Sequence, residues 1–191
     1  MMIDRDDYIS NDLYPIYSIG HSNVSSSRII ELIKPYNIEV LVDVRSSPYS
    51  QYAPQFNREV LESTLKFDGL GYHYAGDSLG GRPKNASCYK NHIIPEEHAD
   101  YLHLVDYPAV MEKLFFQKGI QQLLELASQK CIVVMCSEED PGVCHRHHMI
   151  GKYLKQHGIT LLHIRKDGKV VKDHHLPNLQ EIIPMEQPSL F

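Results

Sequence analysis

No apolar run in the sequence reaches the roughly 20 residues that a membrane-spanning helix needs. The N-terminal residues 1–7 are acidic, whereas a secretory signal begins with basic residues followed by an apolar stretch. No internal repeat and no low-complexity segment divides the 191 residues. We therefore expect a cytoplasmic protein that has no contact with a membrane and that folds as one globular domain.

Cysteine and net positive charge are also scarce. The chain has four cysteines, Cys88, Cys131, Cys136 and Cys144, and a domain of this length does not need disulfides, so we interpret them as thiols. The 19 Lys and Arg residues are outnumbered by 24 Asp and Glu residues, and the formal net charge is -5. This balance argues against an extended nonspecific grip on nucleic acid, although it permits a local basic site.

Apolar runs alternate with segments of helical spacing along the chain. The predicted strands are 16–20, 39–44, 70–74, 131–135 and, as the last strand, 160–164. The predicted helices begin near Ser25 and Asn57, cover 108–117, follow Gly119, and cover 145–156. Residues 75–103 have no clean period and predict a long functional loop or an insertion.

This alternation predicts the α/β fold class, with a single domain and a mostly parallel sheet flanked by helices in a Rossmann-like three-layer arrangement. The domain is expected at 14–176, between an N-terminal tail at 1–13 and a C-terminal tail at 177–191. In such sheets, ligands bind beyond the carboxyl ends of the strands. Three polar loops that follow predicted strands are therefore expected to meet at one edge.

Candidate catalytic residues lie in each of these loops. Cys136 begins a strand-to-helix loop whose helix start, together with Arg146, favours a thiolate, so Cys136 is a candidate nucleophile. His21 and Asp43 are candidates for proton transfer. The alternatives are that His21 is a structural hydrogen bonder and that Asp43 and Arg45 form a buried pair that holds their loop.

The same loops supply candidate groups for binding a phosphate-bearing substrate. Guanidinium groups fit phosphate oxygens, and nearby aromatic residues suit a base or a sugar. The predicted substrate-binding residues are Arg45, Asn57, Tyr74, Gly80, Gly81, Arg82, Ser137, Glu138, His145 and Arg146. A loop that begins with Cys and wraps an anion is similar to those of cysteine phosphatases and rhodaneses, but this loop is longer and more acidic.

A metal site is the other chemical interpretation of the third loop. The candidate ligands are Cys136, Cys144, His145 and His148, and such N and S donors suit zinc or iron. The spacing is not a paired Cys-x-x-Cys knuckle, so its specificity is low. The structural alternative is that the two cysteines are small buried residues and that the histidines form a solvated helix face.

Several segments in order resemble one family, domain of unknown function 488. They are Tyr-Ser-Ile-Gly-His-Ser at 17–22, Val-Asp-Val-Arg-Ser-Ser-Pro-Tyr-Ser at 42–50, Phe-Asn at 56–57, Leu-Gly-Gly-Arg-Pro at 79–83, Met-Cys-Ser-Glu at 135–138 and Cys-His-Arg at 144–146. The resemblance covers about 16–168 and implies the α/β fold and the place of the site, but no reaction. His147 and His148 after Cys-His-Arg are an extra feature that favours the metal interpretation.

The C-terminal residues 187–191 are similar to the Gln-x-Ser/Asp-Leu-Phe peptides by which bacterial replication and repair proteins bind the DNA sliding clamp. Gln187, Leu190 and Phe191 are therefore the predicted partner-binding residues. The alternative is that Leu190 and Phe191 fold back onto the domain as a hydrophobic clip.

Two functional hypotheses follow from these features. The first is an enzyme that acts on a phosphate-bearing substrate, a nucleotide or nucleic acid, in DNA maintenance. The second is a noncatalytic adaptor that binds a nucleotide or a metal and is recruited to the sliding clamp.

Overall fold

The computed structural model describes residues 13–178. Its strands form one sheet and are β1 (Ile16–Gly20), β2 (Val40–Asp43), β3 (Gly71–Tyr74), β4 (Ile132–Cys136), β5 (Leu161–Ile164) and β6 (Val170–Lys172). Their order is β3-β2-β4-β1-β5-β6, and every pair is parallel except β5 with β6. The α/β fold class with a mostly parallel sheet is therefore confirmed.

Helices cover both faces of this sheet. They are α1 (Ser26–Ile33), α2 (Arg58–Phe67), α3 (Gly76–Leu79), α4 (Tyr101–Leu104), α5 (Tyr107–Met111), α6 (Leu114–Ala127) and α7 (Lys152–Gln156). Alternate residues of β4 supply the two cores, with Val134 packed in the cluster that contains Phe116 and Val133 in the cluster that contains Ile29 and Leu61. The two apolar clusters make the three layers that the strand alternation predicts.

None of the helices within residues 13–178 has both the length and the apolar character that crossing a membrane requires.

Two elements differ from the sequence-based prediction. Helix α6 does not break at Gly119, because this glycine allows close contact with Ser78 in α3, where a side chain would collide. The strand at 160–164 is not the last, since β6 follows it after a turn at Gly168, whose φ is +81°. The first error comes from treating Gly119 as a helix boundary without knowing what packs against it. The second comes from the polar composition of the segment that contains β6.

The segment after Cys144 begins as a π-helix, Arg146–Gly151, rather than as the α-helix predicted for 145–156. The wider turn accommodates two neighbouring buried histidines that have different partners. His147 Nδ1 bonds Asp173 Oδ1 at 2.6 Å, whereas His148 Nε2 donates to the Gly142 carbonyl at 2.5 Å. Turns of this type are frequent at functional sites, and this one directly follows the Cys-His-Arg motif.

The strand order places the end of β4 between the ends of β1 and β2. Gly20 is in register with Cys136, and Asp43 is in register with Met135. The pairing continues one residue further, since the His21 N–H donates to the Cys136 carbonyl at 2.9 Å. Cys136 therefore emerges between the two other polar loops.

Candidate metal and catalytic site

A cavity of about 660 Å³ opens at the carboxyl ends of the parallel strands. The loops after β1, β2 and β4 all contribute to it. Nine of the predicted site residues line this cavity: His21, Arg45, Gly81, Arg82, Cys136, Ser137, Glu138, Cys144 and His145. The structure thus brings the three loops together at one edge of the sheet, as the parallel arrangement of the strands predicts.

Cys136, Cys144 and His145 form a buried cluster on the cavity wall. Their sulfur and nitrogen atoms lie within 4.8 Å of one another, and His145 Nδ1 is 3.7 Å from each sulfur. Around a tetrahedral zinc, S and N ligands lie about 3.6 Å apart. His145 Nε2 has no hydrogen-bond partner within residues 13–178, so the polar contacts of this ring are the two sulfurs. The three residues have the spacing of a ligand set.

Glu138 adds a carboxylate beside the two sulfurs. Its Oε2 accepts from Cys136 Sγ at 2.9 Å and lies 3.5 Å from Cys144 Sγ. The side chain is exposed and lines the cavity. Glu138 is a predicted substrate-binding residue, and its position two residues after Cys136 is the sequence signal for a role next to the cluster.

Arg146 donates hydrogen bonds to one of the two thiols. Its Nε and backbone N–H donate to Cys144 Sγ at 3.3 and 3.5 Å. Burial opposes ionisation, but the neighbouring Cys136 thiol and the charge of Arg146 hold the pKa of Cys144 well below its usual value. The neighbouring Cys144 and burial raise the pKa of Cys136. The hydrogen bonds of Arg146 thus go to Cys144, and the role of Cys136 as a nucleophile stays a prediction.

Arg146 itself is fully buried and does not line the cavity. Its Nη1 donates to Ser18 Oγ at 3.2 Å, and its Nη2 donates to the carbonyl oxygens of Glu138 and Glu139. These donors are directed into the protein. Arg146 is thus placed to hold the loop after β4, and not where an anion in the cavity would meet it.

Arg45 lines the cavity but is paired with Asp43. Its Nε and Nη2 donate to the two carboxylate oxygens at 2.9 and 2.6 Å, and Nη2 also donates to the Phe56 carbonyl at 2.7 Å. Asp43 is fully buried and accepts a further hydrogen bond from Tyr72 at 2.9 Å. This geometry agrees with the alternative that Asp43 and Arg45 form a buried pair, which holds the loop after β2.

His21 forms part of the cavity wall as a neutral ring. It stacks on Phe56 with 4.0 Å between ring centres, and its Nδ1 donates to the Ser22 carbonyl at 2.7 Å. The other nitrogen, Nε2, then accepts from Arg45 Nη1 at 3.3 Å. Burial lowers the pKa of His21 to about 4, so the ring is uncharged at neutral pH.

Two glycines allow the loops to approach this closely. A methyl group on Gly20 would overlap the backbone carbonyl of Glu138, which passes directly over the end of β1. A methyl group on Gly81 would lie 2.7 Å from His145 Nδ1. Of the Gly80-Gly81 pair, Gly81 therefore leaves space for the His145 ring, whereas Gly80 leaves space for the Gly76 carbonyl and Ser46.

Three further predicted binding residues support the cavity without lining it. Asn57 Oδ1 accepts from the Ser50 backbone N–H at 2.8 Å. The Tyr74 ring lies under the guanidinium of Arg58 at 4.5 Å, and Gly80 packs against backbone. These three residues therefore stabilise the loops that form the walls of the cavity.

His148 is not brought to the ligand cluster. The π-helix directs its ring to the Gly142 carbonyl, and burial lowers the pKa of His148 to about 4. The other three predicted ligands, Cys136, Cys144 and His145, do group with each other.

Sequence reasoning missed much of the cavity wall. Residues that line the cavity and were not predicted include Ser46, Ser47, Tyr49, Ser50, Tyr52, Glu97, Asp100, Tyr101 and Tyr107. The first five lie in the segment that follows Arg45, so this polar run after the end of a strand was a signal that they line the cavity. The others lie in the aperiodic segment and at the start of α5, where no sequence pattern indicates which side chains face the cavity. Gln187, Leu190 and Phe191 lie outside the described residues, so their role stays a prediction.

One family model, described as Domain of unknown function DUF488, matches residues 25–154. The matched range contains the Arg45 loop, the Gly80-Gly81 turn and the loop from Cys136 to Arg146. No curated protein and no solved structure matches the sequence. The resemblance drawn from the ordered motifs is confirmed.

The lowered pKa of His21 predicts a pH dependence of stability. The ring binds a proton near pH 6.5 in the unfolded chain but only near about 4 in the folded one. Stability from the neutral ring is therefore complete above about pH 6.5 and is lost as the pH falls towards about 4, by on the order of 3 kcal/mol. Urea unfolding of wild type and His21→Gln across this range measures the difference.

The exposed His98 gives the matched control, since His98→Gln is expected to leave the pH profile unchanged. A difference between wild type and His21→Gln that stays constant with pH would contradict the prediction.

Proposed function

The chain belongs to the family described as Domain of unknown function DUF488, and from that premise we propose that it is a metal-dependent hydrolytic enzyme acting on an uncharged, nucleoside-sized substrate. The observation that carries the proposal is the ligand set of Cys136, Cys144 and His145 on the wall of a cavity of about 660 Å³. Three protein ligands beside open space are typical of catalytic sites, whereas structural zinc sites are closed by four.

The donor set suits zinc best, with iron as the other candidate. Bound zinc would supply a Lewis acid and lower the pKa of water to about 7. Glu138 is assigned as the proton acceptor, because its exposed carboxylate lies beside both sulfurs and lines the same cavity. A His and two Cys ligands with a separate Glu perform hydrolytic deamination of nucleobases in the zinc deaminases, which gives this chemistry a precedent.

The charges around the cavity support an uncharged substrate. Arg45 is neutralised by Asp43, and the carboxylates of Glu97 and Asp100 stand on the same walls as Arg82. Two thiolates would also cancel the charge of a divalent ion at the ligand set. The cavity thus has no excess of positive charge with which to hold a phosphate group.

The other walls are made of hydroxyl groups and aromatic rings. Tyr49 and Tyr52 are exposed, and Ser46, Ser47 and Ser50 stand in the same loop. Flat apolar surfaces between hydrogen-bonding groups suit a base and a sugar. The volume also lies within the range of about 300–1,000 Å³ that is usual for ligand pockets.

A phosphate-bearing substrate, as inferred from the sequence, is the second candidate. The observation that favours it is Arg82, an exposed guanidinium on the cavity wall that has no carboxylate partner within residues 13–178. Within residues 13–178, the guanidinium donates a hydrogen bond to the Glu97 carbonyl at 3.4 Å.

Metal content is the first test. The full chain, purified without a histidine tag, is expected to carry about one zinc or iron per chain in elemental analysis. Cys136→Ser and Cys144→Ser are each expected to lose the metal, because each removes a ligand. Cys88→Ser and Cys131→Ser alter buried thiols outside the cavity and are expected to retain it. A metal-free wild type, or loss of metal in all four variants, would contradict the site.

Turnover is the second test, measured on nucleosides and the matching 5′-monophosphates. We expect hydrolysis of the uncharged compounds. Glu138→Gln is expected to keep its metal and to lose roughly 100-fold or more in rate, because proton transfer contributes about that much. Glu97→Gln changes a residue that lines the same cavity, and this control is expected to keep both the metal and the rate.

Each other outcome assigns a different function. Loss of metal in Glu138→Gln would make this residue a fourth ligand and the site structural. Turnover of monophosphates alone would favour the second candidate, and binding without turnover would favour the noncatalytic adaptor.

We further propose that the C-terminal peptide, 187–191, binds the bacterial DNA sliding clamp and brings the enzyme to DNA maintenance. The support is the sequence of the peptide, since it lies outside the described residues. Calorimetry with purified clamp is expected to show binding by wild type and by Ser189→Ala. The double variant Leu190→Ala with Phe191→Ala is expected to lose binding, because these side chains fill the apolar pocket. Equal binding by the double variant would reject the proposal.

A further inference from the structure

Two tyrosines within residues 13–178 are buried, Tyr89 and Tyr107, and their hydroxyl groups differ in one respect. The Tyr89 hydroxyl donates to the Pro83 carbonyl at 2.7 Å. Tyr107 is 6% exposed, yet its hydroxyl makes no hydrogen bond to any residue within 13–178. A buried tyrosine usually finds a partner for its hydroxyl, because leaving the group unsatisfied costs free energy. The packing of the domain therefore does not account for the Tyr107 hydroxyl.

The open end of the Tyr107 side chain is this hydroxyl. Tyr107 belongs to the apolar cluster that contains Val110 and Phe116, and it also lines the cavity together with Cys136 and Cys144. The hydroxyl oxygen itself is not sealed from solvent. A buried ring with an accessible hydroxyl presents one polar group to the cavity.

The ligand cluster lies within electrostatic reach of this hydroxyl. Burial raises the pKa of Tyr107, and Cys144, Cys136 and Glu138 raise it further. A phenol is protonated at neutral pH even at its ordinary pKa of about 10. The hydroxyl is thus a neutral hydrogen-bond donor near the proposed ligands and near Glu138.

The elements around Tyr107 fix the direction of its ring. The Asp106 carboxylate caps α5 by accepting from the Ala109 N–H at 3.1 Å, and the Asp106 N–H donates to the Cys88 carbonyl at 2.9 Å. The His148 ring stacks on the Tyr107 ring, with 6.2 Å between the ring centres and 23° between the ring planes. His148, which is not brought to the ligand cluster, therefore packs against a residue of the cavity wall. A donor that is fixed in advance needs no reorganisation during a reaction.

A fixed neutral donor suits an atom on which negative charge develops during hydrolysis. In hydrolytic deamination, the oxygen of water bonds to the carbon of a ring C=N group, Glu138 takes the water proton, and the electron pair of the double bond moves onto the ring nitrogen. The pair then restores the double bond, and the amino group on that carbon leaves as ammonia with the proton from Glu138. While the ring nitrogen carries the extra charge, it accepts a stronger hydrogen bond than it does in the substrate.

We propose that Tyr107 is a further catalytic residue, whose hydroxyl donates to the ring nitrogen next to the carbon that water attacks. This narrows the substrate class to uncharged nucleosides in which an amino group stands on a carbon of a ring C=N group, as in cytidine and adenosine. The catalytic part of the inference rests on the proposed function. The binding of a ring nitrogen by the hydroxyl does not depend on turnover.

The binding test uses two pairs of compounds, cytidine with 3-deazacytidine and adenosine with 1-deazaadenosine. In each second compound, a C–H group replaces the ring nitrogen next to the amino-bearing carbon. Calorimetry gives the dissociation constants for full chains that carry Glu138→Gln, so that hydrolysis is slow during the titration. With Tyr107 present, the parent nucleoside of at least one pair is expected to bind roughly tenfold more tightly, because one hydrogen bond contributes about that factor. Tyr107→Phe is expected to bring this ratio to near one.

Tyr89→Phe is the matched control, since it removes the hydroxyl of the other buried tyrosine, which does not line the cavity. It is expected to keep the preference for the ring nitrogen. Thermal unfolding gives a second readout. Tyr89→Phe loses a hydrogen bond and is expected to lower the Tm, whereas Tyr107→Phe removes a hydroxyl that has no partner within residues 13–178 and is expected to keep the Tm at or above that of wild type. A Tm lowered equally in both variants would mean that the Tyr107 hydroxyl is structural, which would overturn the inference.

Turnover separates this inference from the proposed function. In chains with Glu138 intact, Tyr107→Phe is expected to keep its metal and to lose roughly 100-fold in rate, as is typical when one such donor is removed. Full rate in Tyr107→Phe would overturn the inference and leave the metal-dependent reaction standing. A binding ratio that falls to near one in Tyr107→Phe, in a protein that carries no metal and hydrolyses neither nucleoside, would support the contact and reject the proposed function. An unchanged ratio, or no binding of either pair, would overturn the inference.

Discussion

The guanidinium of Arg146 carries a charge into the interior of the protein, where every donor that it brings must find an acceptor. Its acceptors come from three places: the Ser18 hydroxyl in the sheet, the carbonyls of the loop after β4, and the Cys144 sulfur. Satisfying all of them at once closes the loop over the end of β1. The ligand cluster exists because this loop is held in that position.

Both arginines that suggested anion binding are used in this way. Arg45 is paired with Asp43 and organises the loop after β2, as Arg146 organises the loop after β4. A buried charge is stable only when it is paired, so neither has its charge free for a ligand. The chemistry that is left on the cavity wall is that of sulfur, imidazole and carboxylate, which is why we propose metal-assisted hydrolysis rather than phosphate transfer.

Parts of the fold were predictable because their signals are local. The β-branched run that became β4 and the Ser25 cap of α1 depend on residues close in sequence. The predicted Asn57 cap of α2 is wrong, because its side chain accepts from the Ser50 N–H instead. The π-helix at Arg146–Gly151 was not predictable, because it depends on separate partners for two adjacent histidines. Gly119 was misjudged for the same reason, since its role is decided by Ser78, which packs against it from α3.

The sequence alone determined the fold class and the three loops that meet, because the carboxyl ends of parallel strands share one edge of a sheet. Only the tertiary structure decided the chemistry of that edge. It directed the hydrogen bonds of Arg146 to Cys144 rather than to Cys136, added Glu138 to the cluster and separated His148 from it. These outcomes depend on hydrogen bonds between residues far apart in the chain, such as Arg146 with Ser18, and local sequence patterns carry no record of such partners.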